Sequence, residues 1–176
     1  YWCERCQEAL NQIPIETQRK SVANGLTVAS TGVHMGKLQE SIHALKYENL
    51  KLVASPLGQR MVTCLVQLDW AIDMIVPVPL HAQRLSERGY NQAELLGNQI
   101  MSQLAIPCIP DAITRSQDTR SQVGLDRKQR LTNVAEAFGA NSEYVANKTV
   151  LLVDDVCTTG ATLSTCAQVA LAAGAK

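Results

Sequence analysis

Hydrophobic positions along the chain fall into blocks with two different periods. Leu38, Ile42 and Leu45 recur at helical spacing, and the pattern from Lys37 to Leu68 predicts helix with a break at Tyr47 to Asn49. Leu96, Ile100 and Leu104 share one face of a helix read as Asn91 to Leu104. Ala161 to Ala173, rich in Ala and Leu, predicts another. Leu26 to Val33 alternates loosely and reads as a strand. Ile72 to Val78 (IDMIVPV) and Val150 to Val153 are short apolar runs, the pattern of buried strands. Pro77 and Pro79 close the first of these, because proline suits a strand end and not a central ladder. Ile106 to Ile113 carries two prolines and reads as a short strand. Residues 1–24 are polar and irregular, and Arg115 to Arg130 is polar, basic and aperiodic, which reads as a loop. Strands separated by helices predict an α/β domain: a central parallel β-sheet flanked by helices. Ligands of such sheets sit beyond the carboxyl ends of the strands, so the residues after Val78 and after Val153 are where chemistry is expected.

Composition narrows the picture. The 176 residues, 46% of them hydrophobic, suit one domain with a sizeable core. Sixteen basic residues balance sixteen acidic ones, and a net charge of +0 argues against a surface built throughout to hold nucleic acid. Aromatics at 4% argue against a stacking platform for single-stranded bases. The longest apolar runs are too short to span a membrane. The chain opens on Tyr1 with no charged-then-apolar leader, and it stops at Gly174-Ala175-Lys176, where a helix would hand over to another strand. It is therefore expected to be a piece of a longer, cytoplasmic protein.

Cys3, Cys6, Cys64, Cys108, Cys157 and Cys166 are too scattered for a secreted disulfide framework and read as reduced thiols. Cys3-x-x-Cys6 is half of a zinc site. His34 and His43 are the candidates for further ligands, although a lone histidine is more often a packed or surface residue.

The segment with the most chemistry is Val150 to Thr162. A buried strand ends in two adjacent carboxylates, Asp154 and Asp155. A turn of Val156, Cys157, Thr158, Thr159 and Gly160 then leads into a helix at Ala161 and Thr162. The helix N-terminus offers unpaired N–H groups and a positive dipole end, which suits a phosphate. Gly160 lets the main chain approach closely, and the threonines add hydroxyl donors. Two carboxylates beside a phosphate make sense if they face sugar hydroxyls, a divalent cation or a developing positive charge. The bland reading, a capped helix after a solvated strand end, accounts for any one of these residues but not for thirteen consecutive positions in this order. Two rival nucleotide motifs fail. Gly32 to Leu38 is one residue short of a P-loop and lacks its Ser/Thr, and no Gly-x-Gly-x-x-Gly occurs.

Val150 to Thr162 resembles the phosphoribosyl-pyrophosphate (PRPP) motif of type I phosphoribosyltransferases: four apolar residues, two acids, two apolar residues, Thr-Thr-Gly, any residue, Thr. Ile75-Val-Pro-Val-Pro-Leu80, Arg88-Gly89-Tyr90-Asn91-Gln92, Gln122 with Arg130, and Asn133-Val134-Ala-Glu-Ala-Phe138 are similar to the ComF family of phosphoribosyltransferase-like proteins, linked to competence and the use of external DNA. The resemblance runs from about Leu26 to Lys176.

It implies a type I phosphoribosyltransferase fold over residues 25–176, truncated at its C-terminus, after a remnant of a zinc-ribbon-like segment over residues 1–24. Asp154 and Asp155 would hold the ribose hydroxyls of PRPP and stabilise an electron-poor sugar. Val156 and Thr158 through Thr162, with Gly160 and Ala161 among them, would cradle the 5′-phosphate. The turn at Val78-Pro79-Leu80 matches the pyrophosphate site, with Arg84, Arg88 and His81 close behind. Mg²⁺ would travel with the PRPP oxygens. Zn²⁺ would be held in the longer protein by Cys3, Cys6 and a second pair upstream. Cys157 reads as incidental.

Two functions follow from the resemblance. One is an enzyme that displaces pyrophosphate from Mg²⁺–PRPP with a nitrogenous base. The other is a non-catalytic PRPP- or nucleotide-binding partner of the DNA-uptake machinery, because this fold serves regulators as well as enzymes. A third, weaker reading is direct contact with single-stranded DNA through Arg115 to Arg130. That segment has five basic and two acidic residues and also matches the position of a mobile catalytic loop. The fold admits a homodimer.

Overall fold

The computed structural model describes residues 2–15, the main chain of 18–21, and residues 26–115 and 138–176. In chain order it runs α1 (Glu4–Asn11), β1 (Gln18–Ser21), β2 (Thr27–Ser30), α2 (Gly36–Tyr47), a 3₁₀ turn (Lys51–Val53), α3 (Ala54–Leu68), β3 (Met74–Pro77), α4 (Ala82–Arg88) and α5 (Gln92–Leu104). A second 3₁₀ turn (Pro110–Ala112), β4 (Ile113–Arg115), β5 (Phe138–Ala140), α6 (Ser142–Val145), β6 (Val150–Val153) and α7 (Ala161–Ala172) follow.

The centre is the parallel pair β3–β6, in register Met74↔Val150 through Pro77↔Val153. Residues 107–109 extend it on the far side of β3: Ile75 N–H donates to Pro107 O (2.8 Å), and Ile109 N–H donates to Ile75 O (2.9 Å). Both faces of this sheet are covered, which explains why its strands are apolar without alternation. Ile75 and Val153 face one core with Leu10, Leu45, Leu57, Leu96 and Ile100, from α1, α2, α3 and α5. Met74 and Val76 face the other core with Ile113, Phe138, Leu163, Cys166 and Ala170. Two small antiparallel pairs, β1–β2 and β4–β5, lie outside the central ladder. The α/β fold with a parallel sheet and flanking helices is the one the sequence predicts.

The differences are local. Residues 4–11, read as irregular, are helical. The polar α1 forms because it buries one residue, Leu10, completely. The segment from Ile106 to Ile113 does not form one strand. It makes a single parallel bridge at Cys108, turns at Pro110, and starts β4 at Ile113. The predicted break at Tyr47 to Asn49 is present between α2 and the 3₁₀ turn before α3. The predicted loop beyond Arg115, with Asp118, Arg120, Gln122, Asp126, Arg127, Lys128, Arg130 and Asn133, lies outside the described residues.

Helices approach closely where glycine permits it. A Cβ on Gly97 of α5 would stand 2.9 Å from Cys108 Sγ and 3.3 Å from Ile75 Cγ2. A Cβ on Gly58 of α3 would stand 2.4 Å from Gln99 Cβ of α5. Gly58→Ala raises helix propensity, which alone favours the fold by ~1 kcal/mol. The clash outweighs it, and we expect a net loss of about 1–3 kcal/mol by urea unfolding. A gain in stability would show that α3 and α5 separate at little cost.

Candidate functional site

Parallel pairing of β3 and β6 brings two loops out on the same edge of the sheet. The first loop follows Pro77. Val78 N–H donates to Val153 O (2.9 Å), and Val78 O accepts from Asn91 Nδ2 (3.0 Å), so Val78 anchors this turn through its main chain. Pro79 follows it. His81 caps α4, its Nδ1 accepting from Gln83 N–H at 3.3 Å.

The Arg88-Gly89-Tyr90-Asn91-Gln92 string ties this corner together. Arg88 donates to Gln92 Oε1. Gly89 ends α4 at φ +77°, a left-handed conformation that favours glycine. Buried Tyr90 donates its hydroxyl hydrogen to Leu45 O in the last turn of α2. Asn91 both binds Val78 O and caps α5, accepting from Ala93 N–H at 3.0 Å. The sequence marks this string as distinctive, and the structure shows it holding α2, α4, α5 and the β3 loop in fixed relation.

The second loop follows Val153. Asp155 N–H donates to Asp154 Oδ1 (2.9 Å), which sets the two carboxyl groups side by side. Burial first, and the neighbouring charge of Asp155 second, push the Asp154 carboxyl up to about 6. The Asp155 side chain is 4% exposed. Its Oδ1 is held by Lys46 Nζ at 2.9 Å, while its Oδ2 is buried with no hydrogen-bond partner. A buried carboxylate oxygen without a donor is costly, and it is the arrangement expected where a ligand supplies the missing hydrogen.

Val156 to Thr159 lead to Gly160, whose φ of +77° turns the chain into α7. Thr159 Oγ1 accepts from Ala161 N–H at 3.4 Å. The first turn of a helix has no intrahelical acceptors for its amides, so the α7 N-terminus, with Thr158, Thr159 and Thr162 around it, presents donors beside the acids. Cys157 is exposed on this loop.

Arg84 and Arg88 of α4 line a polar pocket of about 440 Å³ with Lys46, Tyr47, Asn49, Glu87 and Tyr90. The Arg88 guanidinium also lies 5.5 Å from the Tyr47 ring centroid. The sequence-predicted residues therefore gather in two places: Asp154 to Thr162 on one loop, and Arg84 and Arg88 in the adjoining cationic pocket. Lys46, which links them, was not singled out by the sequence. A lysine in the last turn of a mainly polar helix carries no signal of a partner so far along the chain.

A cavity of about 840 Å³ opens on the other side of the acids. It runs between β6, α7, α3 and the 26–34 segment, and its walls are mostly apolar. At the start of α1, Cys3 and Cys6 bring their sulfurs to 3.7 Å, close to the ~3.8 Å edge of a zinc tetrahedron with 2.3 Å bonds. Among the described residues no third His, Cys, Asp or Glu completes that set. His43 instead pairs with Glu48 at 3.3 Å. Among the described residues no helix is long and apolar enough to cross a membrane.

Residues 91–176 match the phosphoribosyl transferase domain family. Competence protein F of Haemophilus influenzae is 42% identical over 95 residues, 52% of this chain and 41% of that protein. DNA utilization protein YhgH of Escherichia coli is 34% identical over 146 residues, covering 78% of this chain and 63% of the relative. Together these matches support a ComF-like protein with a phosphoribosyltransferase domain. YhgH of Salmonella typhimurium is 31% identical over 139 residues, 76% of this chain and 61% of the relative. The chain thus spans less than two thirds of the length of these relatives. The Asp154–Thr162 loop and, from the Arg88–Gln92 string, Asn91 and Gln92 fall within the matched domain.

Proposed function

We propose that this ComF-like chain binds Mg²⁺–PRPP at the Asp154–Thr162 loop and transfers the phosphoribosyl group to a nitrogenous base, releasing pyrophosphate, in the handling of external DNA. The observation that carries the reading is the acid pair at the end of β6: Asp155 Oδ2 is buried without a donor beside a helix N-terminus. Ribose hydroxyls supply the donors, and the α7 amides with Thr158, Thr159 and Thr162 receive the 5′-phosphate. As the bond from the anomeric carbon to pyrophosphate breaks, its electron pair leaves with pyrophosphate, and the two carboxylates face the carbon that has become electron-poor. Arg84 and Arg88 neutralise the departing anion. Magnesium fits this set as a ligand-borne ion, with Asp154 and Asp155 the protein oxygens at hand, and its chemistry is to screen the diphosphate charge.

The test is calorimetric titration of Mg²⁺–PRPP into the protein beside an Asp154→Asn/Asp155→Asn variant. Losing two charge-assisted hydrogen bonds is expected to weaken binding ~100-fold or more. Absence of binding by folded wild type sinks the reading. Binding without pyrophosphate release from any base replaces transfer with the second reading, a nucleotide-responsive accessory protein of DNA utilisation. The names of the relatives favour that setting.

A further inference from the structure

We infer that Lys46 is an exchangeable counter-ion, paired with Asp155 when the site is empty and transferred to a diphosphate when the cationic pocket fills. The inference rests on the proposed PRPP reading and assigns the site a coupling between its sugar-facing and anion-facing halves.

Three observations place Lys46 at that junction. Its Nζ lies 2.9 Å from Asp155 Oδ1, the carboxylate whose other oxygen is buried without a partner. The same side chain lines the 440 Å³ pocket with Arg84 and Arg88. Among the described residues neither arginine has a carboxylate within ion-pair distance, and Lys46, Arg84 and Arg88 outnumber Glu87, the acid in the same lining, so the pocket is net cationic. The mount of Lys46 is rigid: the preceding residue, Leu45, is fully buried, and its carbonyl accepts from the Tyr90 hydroxyl. What can move is the flexible four-carbon stem, the side chain as a whole being 20% exposed.

An ammonium shared between a carboxylate and an anion pocket cannot serve both at full strength. In the empty site Asp155 holds it. A diphosphate in the pocket competes for it, and Asp155, once released, must find other donors. Ribose hydroxyls supply them, so a ligand with both a diphosphate and a sugar diol satisfies every group at once. Inorganic pyrophosphate strips Lys46 from Asp155 and offers nothing in return, so it binds below the pocket's capacity. The site therefore favours the sugar-linked diphosphate over the free anion through one lysine.

The test is a double-mutant cycle on Mg²⁺–pyrophosphate affinity, measured by calorimetry. Asp155→Asn frees Lys46 and is expected to tighten pyrophosphate by ~10-fold, within the usual range of site-to-site coupling. In a Lys46→Met background the same change should alter affinity less than about twofold. Plain repulsion between Asp155 and the anion predicts the opposite, a larger gain once Lys46 no longer screens the carboxylate, and that result overturns the inference. If Lys46→Met does not fold, Lys46→Gln carries the same cycle, keeping a donor to Asp155 without the charge. Wild type that binds neither PRPP nor pyrophosphate overturns both proposals. PRPP binding that Asp154→Asn/Asp155→Asn abolishes, together with an unchanged Asp155 effect in the Lys46 variants, removes only the counter-ion role.

Discussion

Replacing Arg60 with alanine is expected to destabilise the fold by about 3–5 kcal/mol, because it strips one shared charged donor from several buried carbonyls, each of which costs about 1–3 kcal/mol when left unsatisfied. Arg60 of α3 is 3% exposed. Its guanidinium donates to four main-chain carbonyls: Leu10 O at 3.1 Å and Ile13 O at 2.7 Å from Nη1, and Pro14 O at 3.1 Å and Thr31 O at 2.9 Å from Nη2. Alanine leaves these carbonyls without their donor and opens a void where the side chain stood. Lysine is not a substitute, because one ammonium offers three donors from a single point and cannot reproduce the planar fork. Burial lowers the pKa of Arg60 from its ordinary value. Urea unfolding checks the magnitude. Limited proteolysis checks the place, since the stretch around Ile13 should be cut first. A loss under 1 kcal/mol would show that water or neighbouring donors replace the guanidinium.

Replacing Asp154 with asparagine is expected to stabilise the protein at pH 7 by about 2–3 kcal/mol while weakening PRPP binding. The folded carboxyl titrates near 6, against an ordinary value of 3.8, and each pKa unit corresponds to about 1.4 kcal/mol. Because the folded value is raised, its favourable contribution is complete below the unfolded pKa and is lost as pH climbs from ~4 to ~6. At pH 7 the charge is therefore a net cost of folding, which asparagine removes. The advantage of Asp154→Asn should shrink as pH falls and vanish near pH 4. Chemical unfolding of both proteins at pH 4, 5.5 and 7 tests this. An advantage independent of pH would assign the effect to packing and not to charge. A group that strains the fold at the pH where the protein operates is a common mark of a site kept for its ligand.

How much of this could be read from the chain depends on the kind of interaction. β3 and β6 were legible because β3 is buried throughout and β6, half-buried along the cavity, packs apolar side chains on both faces, so Met74 to Val76 and Val150 to Val153 are apolar throughout. The acid pair and the Gly160 turn were legible because they are contiguous. Helix α4 escaped because Ala82 to Arg88 buries no residue and so leaves no periodic trace. Helix α1 escaped because Leu10 alone is buried, and one position defines no period. Lys46 and Arg60 escaped for a different reason. A charged residue on a helix reads as solvated, and only tertiary structure reveals that Lys46 meets Asp155 and that Arg60 gathers the carbonyls of two distant segments.

The register Pro77↔Val153 has a consequence for how such a site can change over time. The two loops leave neighbouring strands at matched positions, so their separation is one inter-strand spacing, about 4.8 Å, set by main-chain hydrogen bonds that do not depend on side-chain identity. Substitutions in the apolar cavity walls can reshape what is admitted beside the acids without altering that interval. The stagger of the two loops changes only if a strand slips by a whole residue, and such a slip of β6 would turn Val153 toward the wrong core. The walls of that cavity are thus free to diversify, while the spacing between the loops is locked to the existence of the sheet.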